Sequence, residues 1–172
     1  MIHNADTGQA PLLLLPSHGD PGGRAVAAAR VVGIGASAGG LKAFIDFFSH
    51  MPADSGLAFV IVQHLDPQQP SLLPELLAAH TAMPVRAVID QTSVAPNYVY
   101  LIPPNTALTI AHGVLHLGPP TEARSQRLPI DHFFRSLALD QGVRAVGVVL
   151  SGTGADGALG LAAIQALSLI HI

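Results

Sequence analysis

Residues 33–40 read GIGASAGG, and they follow a mostly apolar run at residues 25–32. This order predicts a buried strand that turns through glycines into a helix, with the hydroxyl of Ser37 at the turn. The first backbone N–H groups of a helix have no partner within the helix, so they favour negative charge that develops nearby. Ser37 is therefore a candidate nucleophile.

Two other roles for these residues stay open. Ser37 could cap the helix that begins near Leu41, which is the common role of a serine at such a position. The glycines could instead bind a nucleotide. However, the third glycine follows the second by four residues rather than three, and Asp54, the acidic residue nearest to the expected position, lies in a predicted turn at residues 52–56. The octapeptide alone does not choose among the three roles.

Composition limits the class of protein. The 172 residues are 49% hydrophobic and 11% charged, with a net charge of -3 and no cysteine. Such a chain suits one α/β domain, and the absence of a basic stripe argues against a nucleic-acid partner. The lack of cysteine excludes a disulfide framework and fits a cytoplasmic location. Residues 12–15 are too short an apolar run to insert in a membrane, and we expect residues 1–24 to be a flexible leader.

Hydrophobic periodicity predicts alternating strands and helices over residues 25–166. Strands are expected at residues 25–34, 57–62 and 144–150, and helices at about 41–49, 72–80, 130–140 and 158–166. Shorter strand-like segments are expected at 85–89, 98–102, 106–110 and 114–117, with an antiparallel hairpin over 106–117. The predicted fold is α/β: a doubly wound, mainly parallel sheet with an antiparallel hairpin, Rossmann-like and three-layered.

Three polar residues follow the carboxyl ends of predicted parallel strands: Ser37, His64 and Asp156. Ligands bind at that edge in open α/β sheets. A hydroxyl, an imidazole and a carboxylate are the groups that acyl transfer requires, and we expect the carboxylate to accept the Nδ1–H of His64. Taken singly, His64 could merely end a strand, and Asp156 could cap the helix after Gly157. Their position at one edge favours a catalytic triad.

No metal site is predicted. His112 and His116 have the i, i+4 spacing of a metal site, but the alternating pattern around them places them in a hairpin rather than on one helix face.

The chain resembles the catalytic domain of the CheB family of chemotaxis protein-glutamate methylesterases. The resemblance spans residues 31–166, and it rests on GASAGG at 35–40, VQH at 62–64, YLIPP at 100–104 and GVVLSGTGADG at 147–157. It implies a cytoplasmic hydrolase without a cofactor. The enzyme would remove methyl groups from glutamyl γ-methyl esters on the cytoplasmic helices of chemoreceptors, and it could also deamidate receptor glutamines.

The resemblance also implies roles for particular residues. Ser37 would be the nucleophile, His64 the general base and Asp156 its orienting carboxylate. The oxyanion or substrate would be bound by the backbone N–H of Thr153, with Ala38 and Gly39 as further donors. Ala38 departs from the threonine of many members, which removes a hydroxyl beside the nucleophile.

The ends of the chain also depart from the standard chemotaxis enzyme. No receiver domain is expected before Ala25. The short leader and LPIDHFF at residues 128–134 resemble the methylesterase module that begins large hybrid proteins, so methyltransferase and sensor domains are expected partners. Residues 167–172 form an atypical tail, which leads us to expect a truncated domain. The alternative function is a non-catalytic regulatory or docking module of a hybrid signalling protein.

Overall fold

A parallel sheet forms the centre of the fold in the computed structural model, which describes residues 29–37, 40–64, 72–120, 127–151 and 155–167. Its five strands lie in the order β3-β5-β2-β1-β8. They are β1 (Arg30–Ala36), β2 (Leu57–Gln63), β3 (Val85–Ala87), β5 (Tyr98–Leu101) and β8 (Val146–Ser151).

A smaller antiparallel sheet contains the predicted hairpin. Its strands are β4 (Thr92–Ser93), β6 (Ala107–Ala111) and β7 (Val114–Gly118), in the order β4-β7-β6. The helices are α1 (Leu41–His50), α2 (Leu73–Ala78), α3 (Pro129–Gln141) and α4 (Ala158–Leu167), and a 3-10 turn at Gly142–Arg144 precedes β8. The predicted fold class, a mainly parallel α/β sheet with an antiparallel hairpin, is confirmed.

Both faces of the parallel sheet are covered, because alternate residues of each strand enter different apolar clusters. Val32 of β1 packs in the cluster that contains Phe44 and Phe48 of α1, whereas Val31 packs in the cluster that contains Phe134 and Leu137 of α3. A strand that is buried on both faces has no polar face, which explains the unbroken apolar runs.

The structure adds one feature to the predicted sheet and corrects another. Short strands were expected at residues 85–89 and 98–102 with no pairing assigned to them, and the structure shows that β3 and β5 pair in parallel and extend the main sheet beyond β2. The predicted end of β1 at residue 34 was wrong, because Gly35 and Ala36 continue the strand. The predicted start at residue 25 lies outside the described residues.

The glycines of β1 make room for a helix rather than a turn. A Cβ on Gly33 would lie 2.8 Å from the Phe134 ring, and a Cβ on Gly35 would lie 2.5 Å from Cγ2 of Ile130. Helix α3 can pack this closely on β1 only because these positions lack side chains. The contact brings the first turn of α3 to the carboxyl end of β1, where Ser37 follows.

Gly160 of α4 has a comparable role in the contact between α4 and α3, and we expect Gly160→Ala to lower the free energy of unfolding by up to about 2 kcal/mol. A Cβ there would lie 2.5 Å from Phe134 Cβ and 3.1 Å from Asp131 Cα, atoms that move only if the helices separate. This overpacking outweighs the higher helix propensity of alanine. Urea unfolding measures the effect, with Gly118→Ala as the control, because in the described part of the chain nothing but its own neighbours lies within 4 Å of a Cβ at that position. A raised urea midpoint for Gly160→Ala would contradict the packing described.

Candidate active site

The carboxyl ends of three adjacent strands meet at one edge of the sheet. Ala36 of β1 is paired with Gln63 of β2 on one side and with Ser151 of β8 on the other. Paired residues of neighbouring strands lie about 5 Å apart. Ser37 and His64 are the next residues after Ala36 and Gln63, so the fold places them side by side.

Among the described residues, the hydrogen bonds of Ser37 run through its backbone and not through its hydroxyl. Its carbonyl oxygen accepts hydrogen bonds from Gln63 Nε2 at 3.0 Å and from the Gly40 N–H at 2.9 Å. The N-cap residue of α1 is Gly40, and no side-chain hydrogen bond caps this helix. The interpretation of Ser37 as a helix cap is therefore wrong, and its half-buried side chain is available for another role.

His64 and Asp156 form a hydrogen bond across the site. Nε2 of His64 lies 2.7 Å from Oδ2 of Asp156. The imidazole side chain is 42% exposed, whereas the carboxylate side chain is only 8% exposed. The expected use of Nδ1 in this bond is wrong, because the ring presents Nε2 to the carboxylate. An ionised carboxylate can only accept, so Nε2 donates the proton in this bond, and in the neutral form of the ring Nδ1 holds the lone pair.

The start of α3 holds the carboxylate of Asp156 in place. Oδ2 accepts the Ile130 N–H at 3.1 Å, and Oδ1 accepts the Asp131 N–H at 2.9 Å. No side chain from the residue before α3 caps this helix, so Asp156 supplies the missing cap. The alternative that Asp156 caps the helix after Gly157 is wrong, since it caps α3. The positive end of the α3 dipole also attracts the carboxylate.

Asp131 and Gln63 contribute to the site, and the sequence reasoning did not assign them a role. Oδ1 of Asp131 accepts the N–H groups of Gly157 at 3.0 Å and of Gly160 at 2.6 Å, so Asp131 caps α4 while Asp156 caps α3. An acidic residue in the first turn of α3 and a polar residue at the end of an apolar strand were the available signals.

One contact of the predicted site is not formed, and another part of the site lies outside the described residues. The structure shows no hydrogen bond from the Ser37 hydroxyl to His64, whose ring is bonded to Asp156 instead. The predicted oxyanion donors, Thr153, Ala38 and Gly39, lie outside the described residues. Their role stays a prediction.

Comparison with known sequences identifies the family. The sequence model of the CheB methylesterase family matches residues 32–172. The chain belongs to the CheB methylesterase family.

Two curated relatives of this CheB family chain differ in how much they share with it. The "Uncharacterized 104.1 kDa protein in hypE 3'region" of Rhodobacter capsulatus is 49% identical over 100 residues, which are 58% of this chain and 10% of that protein. The "Protein-glutamate methylesterase/protein-glutamine glutaminase 2" of Xanthomonas oryzae pv. oryzae is 39% identical over 138 residues, which are 77% of this chain and 38% of that protein. The CheB family chain thus spans well under half of either relative.

A solved structure shares the fold. The crystal structure of the Thermotoga maritima CheB methylesterase catalytic domain matches with a TM-score of 0.71 at 23% identity, over 81% of this chain and 76% of that one. In the part of the CheB family chain that the structure describes, no helix has both the length and the apolar character needed to cross a membrane.

Proposed function

We propose that this chain carries the catalytic site of a protein-glutamate methylesterase, with Ser37 as nucleophile, His64 as general base and Asp156 as its orienting partner. The observation that carries the proposal is the 2.7 Å hydrogen bond between His64 and Asp156 at the strand end beside Ser37, in a chain of the CheB methylesterase family. The three groups suit acyl transfer.

In the first half of the reaction, the Ser37 oxygen attacks the γ-carbonyl carbon of a glutamyl methyl ester. Nδ1 of His64 takes the hydroxyl proton, because Nε2 is engaged with Asp156. The C–O bond to the methoxy group then breaks, and His64 returns the proton so that methanol leaves. The glutamyl group remains as an ester on Ser37.

In the second half, water attacks this ester while Nδ1 of His64 takes a proton from the water. The acyl bond to Ser37 breaks, the serine oxygen regains a proton from His64, and a glutamate side chain is released. A glutamine side chain would follow the same path with ammonia as the leaving group, because both reactions share the acyl-enzyme. The similarity of this chain to a relative named "Protein-glutamate methylesterase/protein-glutamine glutaminase 2" supports both reactions.

Charge stabilisation comes from two directions. Asp156 faces the positive charge that the imidazole gains, and its burial at the start of α3 keeps it oriented. The negative charge on the carbonyl oxygen requires backbone donors, and we assign this role to Thr153, with Ala38 and Gly39 as further donors. Catalytic hydrogen bonds are often unformed before substrate binds, so Ser37 would reach Nδ1 in the substrate complex.

The proposed substrate is a methylated glutamate on the cytoplasmic helices of a chemoreceptor, and the chain would act in the cytoplasm. The match to a small part of a 104.1 kDa relative supports a place for the domain in a longer protein, where methyltransferase and sensor domains are the proposed neighbours.

We expect the purified chain to release methanol from chemoreceptor membranes that carry tritium-labelled methyl esters. Volatile label is counted against membranes alone and against membranes with heat-denatured chain. Binding to the same membranes without release of label would contradict the esterase proposal and support the docking module instead.

A further inference from the structure

Asp131 is a buried carboxylate that takes no part in the proposed chemistry. It is 3% exposed and lies in the first turn of α3. Its Oδ1 accepts two backbone N–H groups from the start of α4, whereas its Oδ2 is buried without a hydrogen-bond partner in the described part of the chain. A buried carboxylate so close to the site requires an explanation.

Asp131 and Asp156 hold each other through a closed pair of bonds. The Asp131 N–H donates to Asp156 Oδ1 at 2.9 Å, and the N–H of Gly157, the residue after Asp156, donates to Asp131 Oδ1 at 3.0 Å. The backbone on each side therefore anchors the side chain of the other. If the Asp131 side chain is removed, the Asp156 carboxylate keeps its backbone donors on α3, but the N–H of Gly157 loses its acceptor and the turn that carries Asp156 is no longer fixed to α3 from its own side.

Close packing leaves this pair little freedom. Gly157 has a φ of +99°, and a Cβ there would lie 3.0 Å from Ile130 Cγ2 and from Val149 Cγ2. Gly160 lies against the Asp131 backbone. The turn at residues 155–157, which contains Asp156, therefore packs tightly against the start of α3, and its Gly157 N–H is bonded to the Asp131 carboxylate.

We propose that Asp131 is a positioning residue that fixes the Asp156 carboxylate against Nε2 of His64. The inference rests on the proposed function, and it names a residue outside the triad on which the rate depends. A misplacement of about 1 Å in a reacting group lowers a rate by roughly a hundredfold. Loss of the Asp131 side chain therefore lowers kcat about 10- to 100-fold and leaves KM within about threefold.

Asp131→Asn tests whether the rate depends on the hydrogen bonds of Asp131 or on its negative charge. The asparagine oxygen can take the place of Oδ1 and keep both bonds to α4, while the amide nitrogen replaces Oδ2, which has no partner to lose. Asp131→Ala removes both bonds. Positioning therefore predicts a slow alanine variant and rescue by asparagine to within about fivefold of the wild-type rate.

Asp140→Ala is the matched control. Asp140 also lies on α3 and accepts a backbone N–H, that of Gly113 at 3.3 Å, but it contacts the hairpin rather than the site. This variant should lose stability and keep the wild-type reactivity of Ser37.

The experiment compares the full chain and these variants by three measurements. The rate of covalent labelling by a fluorophosphonate reports the reactivity of Ser37 without receptor binding. The low-field NMR signal of the His64 Nε2 proton reports the bond to Asp156, and urea unfolding reports stability. We expect Ser37 of Asp131→Ala to be labelled about 10- to 100-fold more slowly than Ser37 of the wild type. The Nε2 proton signal of His64 should be lost or shifted in this variant at urea concentrations well below its unfolding midpoint.

The outcomes distinguish this inference from the proposed function. A wild-type chain that reacts at Ser37, together with an alanine variant that reacts equally fast and keeps the imidazole signal, would overturn the positioning role and leave Asp131 as a cap for α4. A wild-type chain that does not react at Ser37 would overturn the proposed function itself. If the alanine variant does not fold, Asp131→Ser replaces it, because the serine oxygen stands one bond closer to the backbone than Oδ1 and cannot keep both bonds to α4 at their present lengths. Unchanged labelling in that folded variant would likewise contradict the inference.

Discussion

Replacement of Ser37 by alanine is expected to lower methanol release by about a thousandfold or more and to leave the fold unchanged. The structural bonds of Ser37 run through its carbonyl oxygen, which accepts from Gln63 and Gly40, and alanine keeps that oxygen. The substitution removes only the hydroxyl. Turnover is measured with labelled chemoreceptor membranes, and the free energy of unfolding is measured with urea.

Ser49→Ala is the matched control for this experiment. Ser49 lies on α1 and its hydroxyl donates to the Ile45 carbonyl oxygen at 2.7 Å, away from the strand ends. The control should release methanol at the wild-type rate. Undiminished release by Ser37→Ala would show that another residue is the nucleophile, and an unfolded Ser37→Ala would show that the hydroxyl has a structural role.

The strand ends that carry the candidate site could be predicted because local signals define them. Apolar runs that stop at Ser37 and at His64 place both residues at the carboxyl ends of parallel strands, and the register of Ala36 with Gln63 agrees. A parallel sheet covered on both faces leaves few other arrangements for such runs. Periodicity was sufficient for the order of these elements, although it ended β1 two residues early.

The partners of Asp156 could not be predicted because they come from a different part of the chain. Its carboxylate is bound by the first turn of α3, which precedes it by some 25 residues, and the contact depends on how closely α3 packs on β1. The glycines of β1 were interpreted as a turn, so the approach of α3 was missed. A side-chain cap supplied by a residue so far along the chain leaves no periodic signal in the sequence.

The sequence also could not predict which ring nitrogen of His64 bonds to Asp156. It depends on the side-chain torsions of His64 and on the position of the Asp156 carboxylate, which only the packed structure defines. The pairing of β3 with β5 was likewise not predicted, since β3 has three residues and pairs with a strand that follows later in the chain. Pairing between such segments is a property of the tertiary fold.

The second large effect is expected for Asp156→Asn, which should lower turnover by about 10²- to 10⁴-fold. The carboxylate accepts three hydrogen bonds, from His64 Nε2 and from the N–H groups of Ile130 and Asp131. Asparagine has one acceptor oxygen and one donor group in their place. If the amide nitrogen faces His64, the ring must present a lone pair at Nε2, and Nδ1 then carries a proton and cannot act as base. If the amide nitrogen faces α3 instead, two N–H donors point at each other and the hydrogen bond from the Asp131 N–H is lost.

Stability and turnover together test this account of Asp156. Loss of a helix cap costs about 0.5–2 kcal/mol, so Asp156→Asn should unfold at a lower urea concentration but remain folded in buffer. Asp90→Asn is the matched control, because Asp90 also accepts a backbone N–H, that of Leu117 at 2.9 Å, and lies outside the site. It should keep wild-type turnover. If Asp156→Asn were folded and as fast as this control, the hydrogen bond between His64 and Asp156 would have no catalytic role, and the proposed triad would be wrong.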